Sequence, residues 1–151
     1  MDRIRSLIGG TIAPGGRPFE LQDKYLETVL AEVETASPQL VEQAIARAER
    51  AARHAVPSVT RRRTILNDAA RLLEQRRETF RESMIAEAGF TVADAENEID
   101  RAVLTLELCA EECHRLVGEM VPLEASRGQE GRIAFTLRKP VGIVCAITPF
   151  N

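Results

Sequence analysis

The sequence predicts an α/β fold in which helices and a projecting β-hairpin lead into the first strand of a parallel sheet. Three observations carry that expectation. Residues 141–147 form a nearly continuous apolar run, rich in β-branched side chains and bracketed by Pro140 and Pro149, the pattern of a strand covered on both faces. Between Ser37 and Gly118, apolar residues recur at steps of three and four, the signature of helices with one buried stripe. Over residues 132–138, Ile133, Phe135 and Leu137 alternate with Ala134 and Thr136, the period of a half-covered strand.

Residues 1–36 read as short strands and turns, because Ile8-Gly9-Gly10 and Pro14-Gly15-Gly16-Arg17-Pro18 punctuate the backbone too often for a helix. Residues 26–33 mix apolar and acidic side chains without a clean period, so a strand and a short helix both fit. Ser37-Pro38 is a helix start, with a hydroxyl at the N-cap and proline at the first helical position. The first helix buries Val41, Ala44, Ile45, Ala48 and Ala52 and breaks at Pro57. A second, capped by Ser58 or Thr60, buries Ile65, Leu66, Ala69, Leu72 and Leu73 and continues through Phe80, Met84 and Ile85 to Gly89. Arg61-Arg62-Arg63 in its first turn reads as a solvated face rather than a basic patch.

The third helix has the clearest period. Thr91 caps it with Asp94 three residues on, and Val92, Ala95, Ile99, Ala102, Leu106, Cys109, Cys113 and Val117 form its stripe, giving a length of about 40 Å. A polar turn over residues 124–131 then joins strands expected at 120–123 and 132–138. A lone two-stranded hairpin is marginal in water, so it should lie on another surface.

Composition narrows the function. Twenty Lys and Arg against twenty-three Asp and Glu, net −3 with signs interleaved, leave no electrostatic footprint for nucleic acid. Five Phe, one Tyr and no Trp offer few stacking platforms. No run of about 18 apolar residues exists to span a membrane, and a cytoplasmic setting is the expectation. Cys109-x-x-x-Cys113-His114 places its adjacent Cys and His on different helix sides, so no metal site is expected, and three cysteines with two on one helix do not read as a disulfide framework. Cys145, inside the apolar run, is expected to be packing rather than a nucleophile.

Pro140-Val141-Gly142-Ile143-Val144-Cys145-Ala146-Ile147-Thr148-Pro149-Phe150-Asn151 resembles the stretch by which aldehyde dehydrogenases enter their dinucleotide-binding domain, P-x-G-V-x-x-x-I-[ST]-P-[FW]-N. Arg62-Arg63-Thr64-Ile65-Leu66, then Ala69-Ala70-Arg71-Leu72-Leu73 and Glu87-Ala88-Gly89, are similar to the family's R-x-x-x-L, L-A-x-x-L and E-x-G. Phe90-Thr91 stands where the family often has Lys-Pro, a departure at a turn. The family's G-E-x-x-P and R-x-P-V-G are similar to residues 118–122 and 138–142.

The resemblance implies an aldehyde dehydrogenase-like N-terminal part entering a Rossmann-like parallel sheet. Residues 1–118 would be the N-terminal strands and three-helix segment of the cofactor domain, 119–139 a projecting oligomerisation hairpin, and 140–151 the first, incomplete strand of the dinucleotide-binding sheet. It further implies oxidation of a small aldehyde to an acid with NAD or NADP, through a cysteine thiohemiacetal, in a homo-oligomer, dimer or tetramer, built through the hairpin. Asn151 would supply an oxyanion-hole amide, a neutral donor suited to a developing alkoxide. Ile147, Thr148, Pro149 and Phe150 would line the nicotinamide cofactor site.

Glu98-Ile99-Asp100-Arg101 resembles the family's E-V-x-R, whose arginine in some members reaches an anionic substrate group; read alone, Arg101 is equally an ion-pair partner of Glu98 or Asp94. The nucleophile, the general base and the glycine-containing cofactor loop are expected beyond Asn151, so the chain should be the front part of a longer protein, inactive alone. The competing expectation is a stand-alone helical and hairpin module that binds or assembles without catalysis. An unpaired apolar strand at 141–147 argues against it.

Overall fold

The computed structural model describes residues 2–54 and 56–148. Five short strands open the chain: β1 (Asp2–Ile4), β2 (Ser6–Ile8), β3 (Thr11–Ala13), β4 (Pro18–Gln22) and β5 (Val29–Glu34). The segment that fitted strand or helix is thus strand β5, and it lies at the centre of a three-stranded sheet ordered β1-β5-β4. β1 runs parallel to β5 with Ile4 opposite Val33, and β4 runs antiparallel with Phe19 opposite Val33. Ion pairs brace this sheet, Arg3 to Glu32 at 2.6 Å and Arg5 to Glu34 at 3.2 Å. β2 and β3 form a separate hairpin that turns on Gly9 and Gly10.

Among the described residues four α-helices follow where the stripes predicted three. α1 (Pro38–Ala52) starts as expected, the Ser37 hydroxyl accepting from the Leu40 N–H at 3.2 Å. α2 (Val59–Gln75) is capped by Ser58, which accepts from the Arg61 N–H at 3.1 Å. The expected continuation to Gly89 is broken at Arg76, and α3 (Arg77–Ala88) begins there and ends on left-handed Gly89. No glycine or proline marks that break. Arg76 leaves helical geometry (φ −106°, ψ 17°), its N–H is shared by the Leu72 and Leu73 carbonyls at 3.1 Å each, and Arg77 beyond it reaches across to α4. α4 (Val92–Glu112) is capped by Thr91, which accepts from the Asp94 N–H at 3.1 Å and donates its hydroxyl to the Asp94 carboxylate at 2.7 Å. It ends before Val117 and is therefore nearer 30 Å than 40 Å long.

α2 and α3 pack on α4. Apart from Ile99 on α4, the buried residues there are small: Ala70 on α2, Ala95 and Ala110 on α4, and Cys113 after it. Small side chains let the helix axes approach, so dispersion contacts replace bulk as the source of cohesion. The expected stripes shift accordingly. Ile65 (47% exposed) gives way to Ala70 on α2, and Cys109 is exposed while Ala110 is buried on α4. Val41 and Ile45 of α1 are also exposed, because across their face lie only the thin β2 strand and the backbone near residue 144.

After α4 the chain turns through Gly118 into β6 (Met120–Val121), a 3-10 turn (Leu123–Ala125) and β7 (Ala134–Phe135). The hairpin is antiparallel, Met120 opposite Phe135 and Val121 opposite Ala134. It is shorter than the strands expected at 120–123 and 132–138, since Pro122 cannot donate to a ladder and the chain coils at Leu123 instead. Residues 141–148 carry no strand among the described residues. A strand exists through its hydrogen-bonded neighbour, and no described segment pairs with this one. No helix among the described residues is long and apolar enough to cross a membrane.

Candidate functional site

The motif-bearing segment runs beside α1. Leu40, Ala44 and Ala48 on α1, with Leu7 on β2, face Val144 and Cys145 across an apolar cleft of about 420 Å³. The backbone that runs on to Ile147 and Thr148 therefore passes the first helix. Both of those residues are exposed, Ile147 at 91%, so neither is consumed by packing among the described residues. Pro149, Phe150 and Asn151 lie outside the described residues. Cys145, expected to be packing, lines the cleft but is exposed; the segment has cover on the α1 side only.

Arg101 projects from the middle of α4 and is joined to Glu98 one turn earlier at 2.7 Å, with 67% of the Arg101 side chain exposed. Its backbone carbonyl accepts the Thr105 hydroxyl at 2.7 Å. Of the two ion-pair partners that the sequence allows, the structure selects Glu98. Asp94 is instead committed to Thr91 at the helix start. Among the described residues Arg101 pairs with Glu98 rather than with Ile147 or Thr148, so the expected substrate residue and these two cofactor residues stand on separate elements.

What fixes α4, and so the place of Arg101, is an arrangement of charges that the helical stripes did not reveal. Arg77 reaches Glu74 at 2.7 Å, Glu96 at 2.6 Å and Asp100 at 2.6 Å, and Arg81 reaches Glu96 at 3.2 Å and also pairs with Glu78. One guanidinium thus ties the end of α2 to two consecutive turns of α4. Hydrogen bonding from Arg77, with Arg81 adding to it, holds the Glu96 carboxyl below its ordinary range, and the same bonds to Glu74, Asp100 and Glu96 push Arg77 up. The local spacings Glu74 to Arg77 and Glu78 to Arg81 are legible as i,i+3 pairs. The cross-helix half is not, because it requires the break at Arg76.

The cysteines make no site. Cys113 is buried, its thiol donating to the Cys109 carbonyl at 3.4 Å, and no group of three His, Cys, Asp or Glu side chains among the described residues is arranged to hold a metal.

The family model described as "Aldehyde dehydrogenase family" matches residues 12–151. Among curated proteins, the chain is 41% identical over 133 residues to 3-sulfolactaldehyde dehydrogenase of Priestia aryabhattai, covering 88% of this chain and 28% of that one. It is 44% identical over 91 residues to aspartate-semialdehyde dehydrogenase 1 of Pseudomonas canavaninivorans, covering 60% and 19% respectively. Among solved structures it superposes on an NAD-dependent benzaldehyde dehydrogenase from Corynebacterium glutamicum with a TM-score of 0.75 at 32% identity, covering 81% of this chain and 27% of that one. The chain spans less than a third of the length of each of these relatives.

Proposed function

The chain belongs to the aldehyde dehydrogenase family, and from that premise we propose that the protein carrying it oxidises a short anionic aldehyde to the acid with NAD or NADP. The observation that supports this reading is the family match over residues 12–151, which takes in the segment beside α1. In this reading residues 147–150 line the cofactor site, and the exposed Ile147 and Thr148 suit that task. The nicotinamide supplies a hydride acceptor. Asn151 donates its amide N–H to the oxygen that gains charge as the aldehyde carbon becomes tetrahedral, and as a neutral donor it does so without titrating. In this reading residues 1–151 bind and orient, and the nucleophilic cysteine and the general base are supplied by other parts of the protein.

The anionic substrate rests on Arg101. Its guanidinium stands on a helix that the Arg77 ion pairs hold in place, and 67% of the Arg101 side chain is exposed, so it is open to a substrate oxyanion. Arginine forks onto a sulfonate, carboxylate or phosphate. The 3-sulfolactaldehyde and aspartate-semialdehyde dehydrogenases among the relatives are named for aldehydes of this kind.

The β6–β7 hairpin serves assembly of a cytoplasmic homo-oligomer. Met120 and Phe135, directly opposite one another, are 71% and 65% exposed, and two ladder pairs cannot sustain a ribbon by themselves. A second copy of the chain offers the surface they need.

The deciding experiment is NAD- and NADP-linked oxidation by the protein made from its own gene, with succinate semialdehyde and propanal as probes. Cofactor reduction with kcat/KM at least about tenfold higher for the anionic probe is the expected result, a difference of about 1.4 kcal/mol. Absence of reduction with either probe would sink the oxidation, and equal values would sink the role of Arg101.

A further inference from the structure

A second cleft lies between the β2–β3 hairpin and α1, and the proposed oxidation makes no use of it. The hairpin turns on Gly9 and Gly10, at φ 58° and 79°, a conformation that favours glycine at both positions. A Cβ on Gly9 would stand 3.4 Å from a guanidinium nitrogen of Arg47 and 3.5 Å from its Cδ, so the arginine lies along the bare turn. Arg50 follows three residues on along α1, on the same side of the helix. Between turn and helix is a cleft of about 460 Å³, with Ile8 and Ile12 as apolar wall and Thr11, Gln43, Arg47 and Arg50 as polar wall. Ile12 is 67% exposed, an apolar side chain left open beside two cations.

Of the eighteen arginines, seven meet a carboxylate among the described residues: Arg3, Arg5, Arg71, Arg77, Arg81, Arg101 and Arg115. Arg47 and Arg50 meet none among the described residues, and neither Thr11 nor Gln43 spends its side chain on a hydrogen bond there. The nearby α1 acids, Glu42 and Glu49, sit at helix positions roughly 100° or more away from Gln43 and Arg47. Two unneutralised guanidinium groups, two further side-chain donors and an apolar wall are the requirements of one ligand class.

We propose that this cleft binds a phosphomonoester with an apolar body, the phosphate dianion bridged by Arg47 and Arg50 and the body laid on Ile8 and Ile12. Two cations one helical turn apart match a dianion, and guanidinium pairs with phosphate through parallel hydrogen bonds. The proposal stands apart from the oxidation, and its test needs no turnover. Phenyl phosphate is titrated into the whole protein by calorimetry at fixed ionic strength, against phenol, inorganic phosphate and an Arg47→Gln/Arg50→Gln variant. The expected result is saturable binding of phenyl phosphate, tighter than inorganic phosphate, undetectable for phenol, and weakened at least about tenfold in the variant. Absence of saturable binding overturns the proposal, as does equal affinity in the variant or equal binding of phenol. Should the double variant fail to fold, Arg50→Gln alone, at an exposed position, supplies the same comparison.

Discussion

Gly118 and Thr136 stand so close that a Cβ on the glycine would lie 1.6 Å from the Thr136 carbonyl oxygen. The approach is backbone against backbone, and no rotamer relieves it. Around it the Glu119 N–H donates to the Thr136 hydroxyl at 2.9 Å, and the Thr136 N–H returns to the Glu119 carbonyl at 2.9 Å. The hairpin is thus sewn to the end of the α4 exit at this point, and its two ladder pairs depend on that seam. Gly118→Ala is expected to cost about 1–3 kcal/mol through overpacking and to splay β6 from β7. If the hairpin carries assembly, light scattering should show the variant dissociating at protein concentrations where the parent stays associated. A variant of unchanged melting temperature and unchanged mass would remove both the seam and the assembly role.

Acid should weaken the helical layer through Glu96. Its folded carboxyl is held below the ordinary 4.5 by Arg77 first and by Arg81. A depressed folded pKa gives stability that is present above the unfolded value and lost as pH falls through the folded one. The melting temperature should therefore drop as pH falls below about 4.5, and the drop should be shallower in Glu96→Gln, which has no proton to bind. Parallel acid profiles for the two proteins would show that the Arg77 pairs do not couple to folding.

The elements were legible wherever the signal was local. Ser37-Pro38, Ser58, Thr91 with Asp94, and Gly89 bound their helices as a reader of caps expects, because each device acts within four residues. Arg76 was not legible, since the bend there is stabilised by α4 carboxylates twenty residues away. Burial was half legible for a related reason. Periodicity marks a face, but whether Ile65 or Ala70 lies at the contact depends on how closely α2 and α4 approach, which the small residues of both helices decide together. For the candidate site, the α1 stripe pointed at the surface that now holds residues 143–145, and Glu98 was one of two named partners of Arg101. The Arg47 and Arg50 cleft left no periodic signal. It arises only when the Gly9-Gly10 turn folds onto the helix.

Glu27 is the one described non-glycine residue with positive φ, 56°. It closes the turn between β4 and β5, where the Asp23 carboxylate accepts from the Tyr25 and Leu26 N–H groups at 2.8 and 2.7 Å and the Glu27 N–H donates to the Asp23 carbonyl at 3.0 Å. A left-handed conformation costs a side-chain-bearing residue about 1–2 kcal/mol, and glycine's greater unfolded-state entropy returns roughly 0.5–1 of that. Glu27→Gly should then stabilise the protein by about 0.5–1 kcal/mol, read as a higher urea midpoint at constant slope. Asp23→Ala should move the midpoint the other way, and a destabilised Glu27→Gly would mean that the side chain, not the turn, matters.

The proposed roles of Asn151 and Arg101 belong to different stages of the reaction, so their variants should fail differently. An amide that meets the oxygen only as it becomes an alkoxide stabilises the transition state and not the bound aldehyde. Asn151→Ala should therefore lower kcat by about 10²–10³ with little change in KM. Asn151→Asp should be no better, because a carboxylate has nothing to donate and repels the developing charge. In the proposed reading Arg101 meets an anion that is already present in the substrate. Arg101→Gln should raise KM for succinate semialdehyde with kcat largely kept, and leave propanal unaffected, since an interaction equal in ground and transition states is uniform binding. If instead Arg101→Gln lowered kcat for both aldehydes alike, the arginine would be acting through the placement of α4 rather than by touching substrate. Glu98→Gln separates the two possibilities. Losing the tether should leave a substrate-binding Arg101 as effective or more so, while a structural pair would show the same defect from either end.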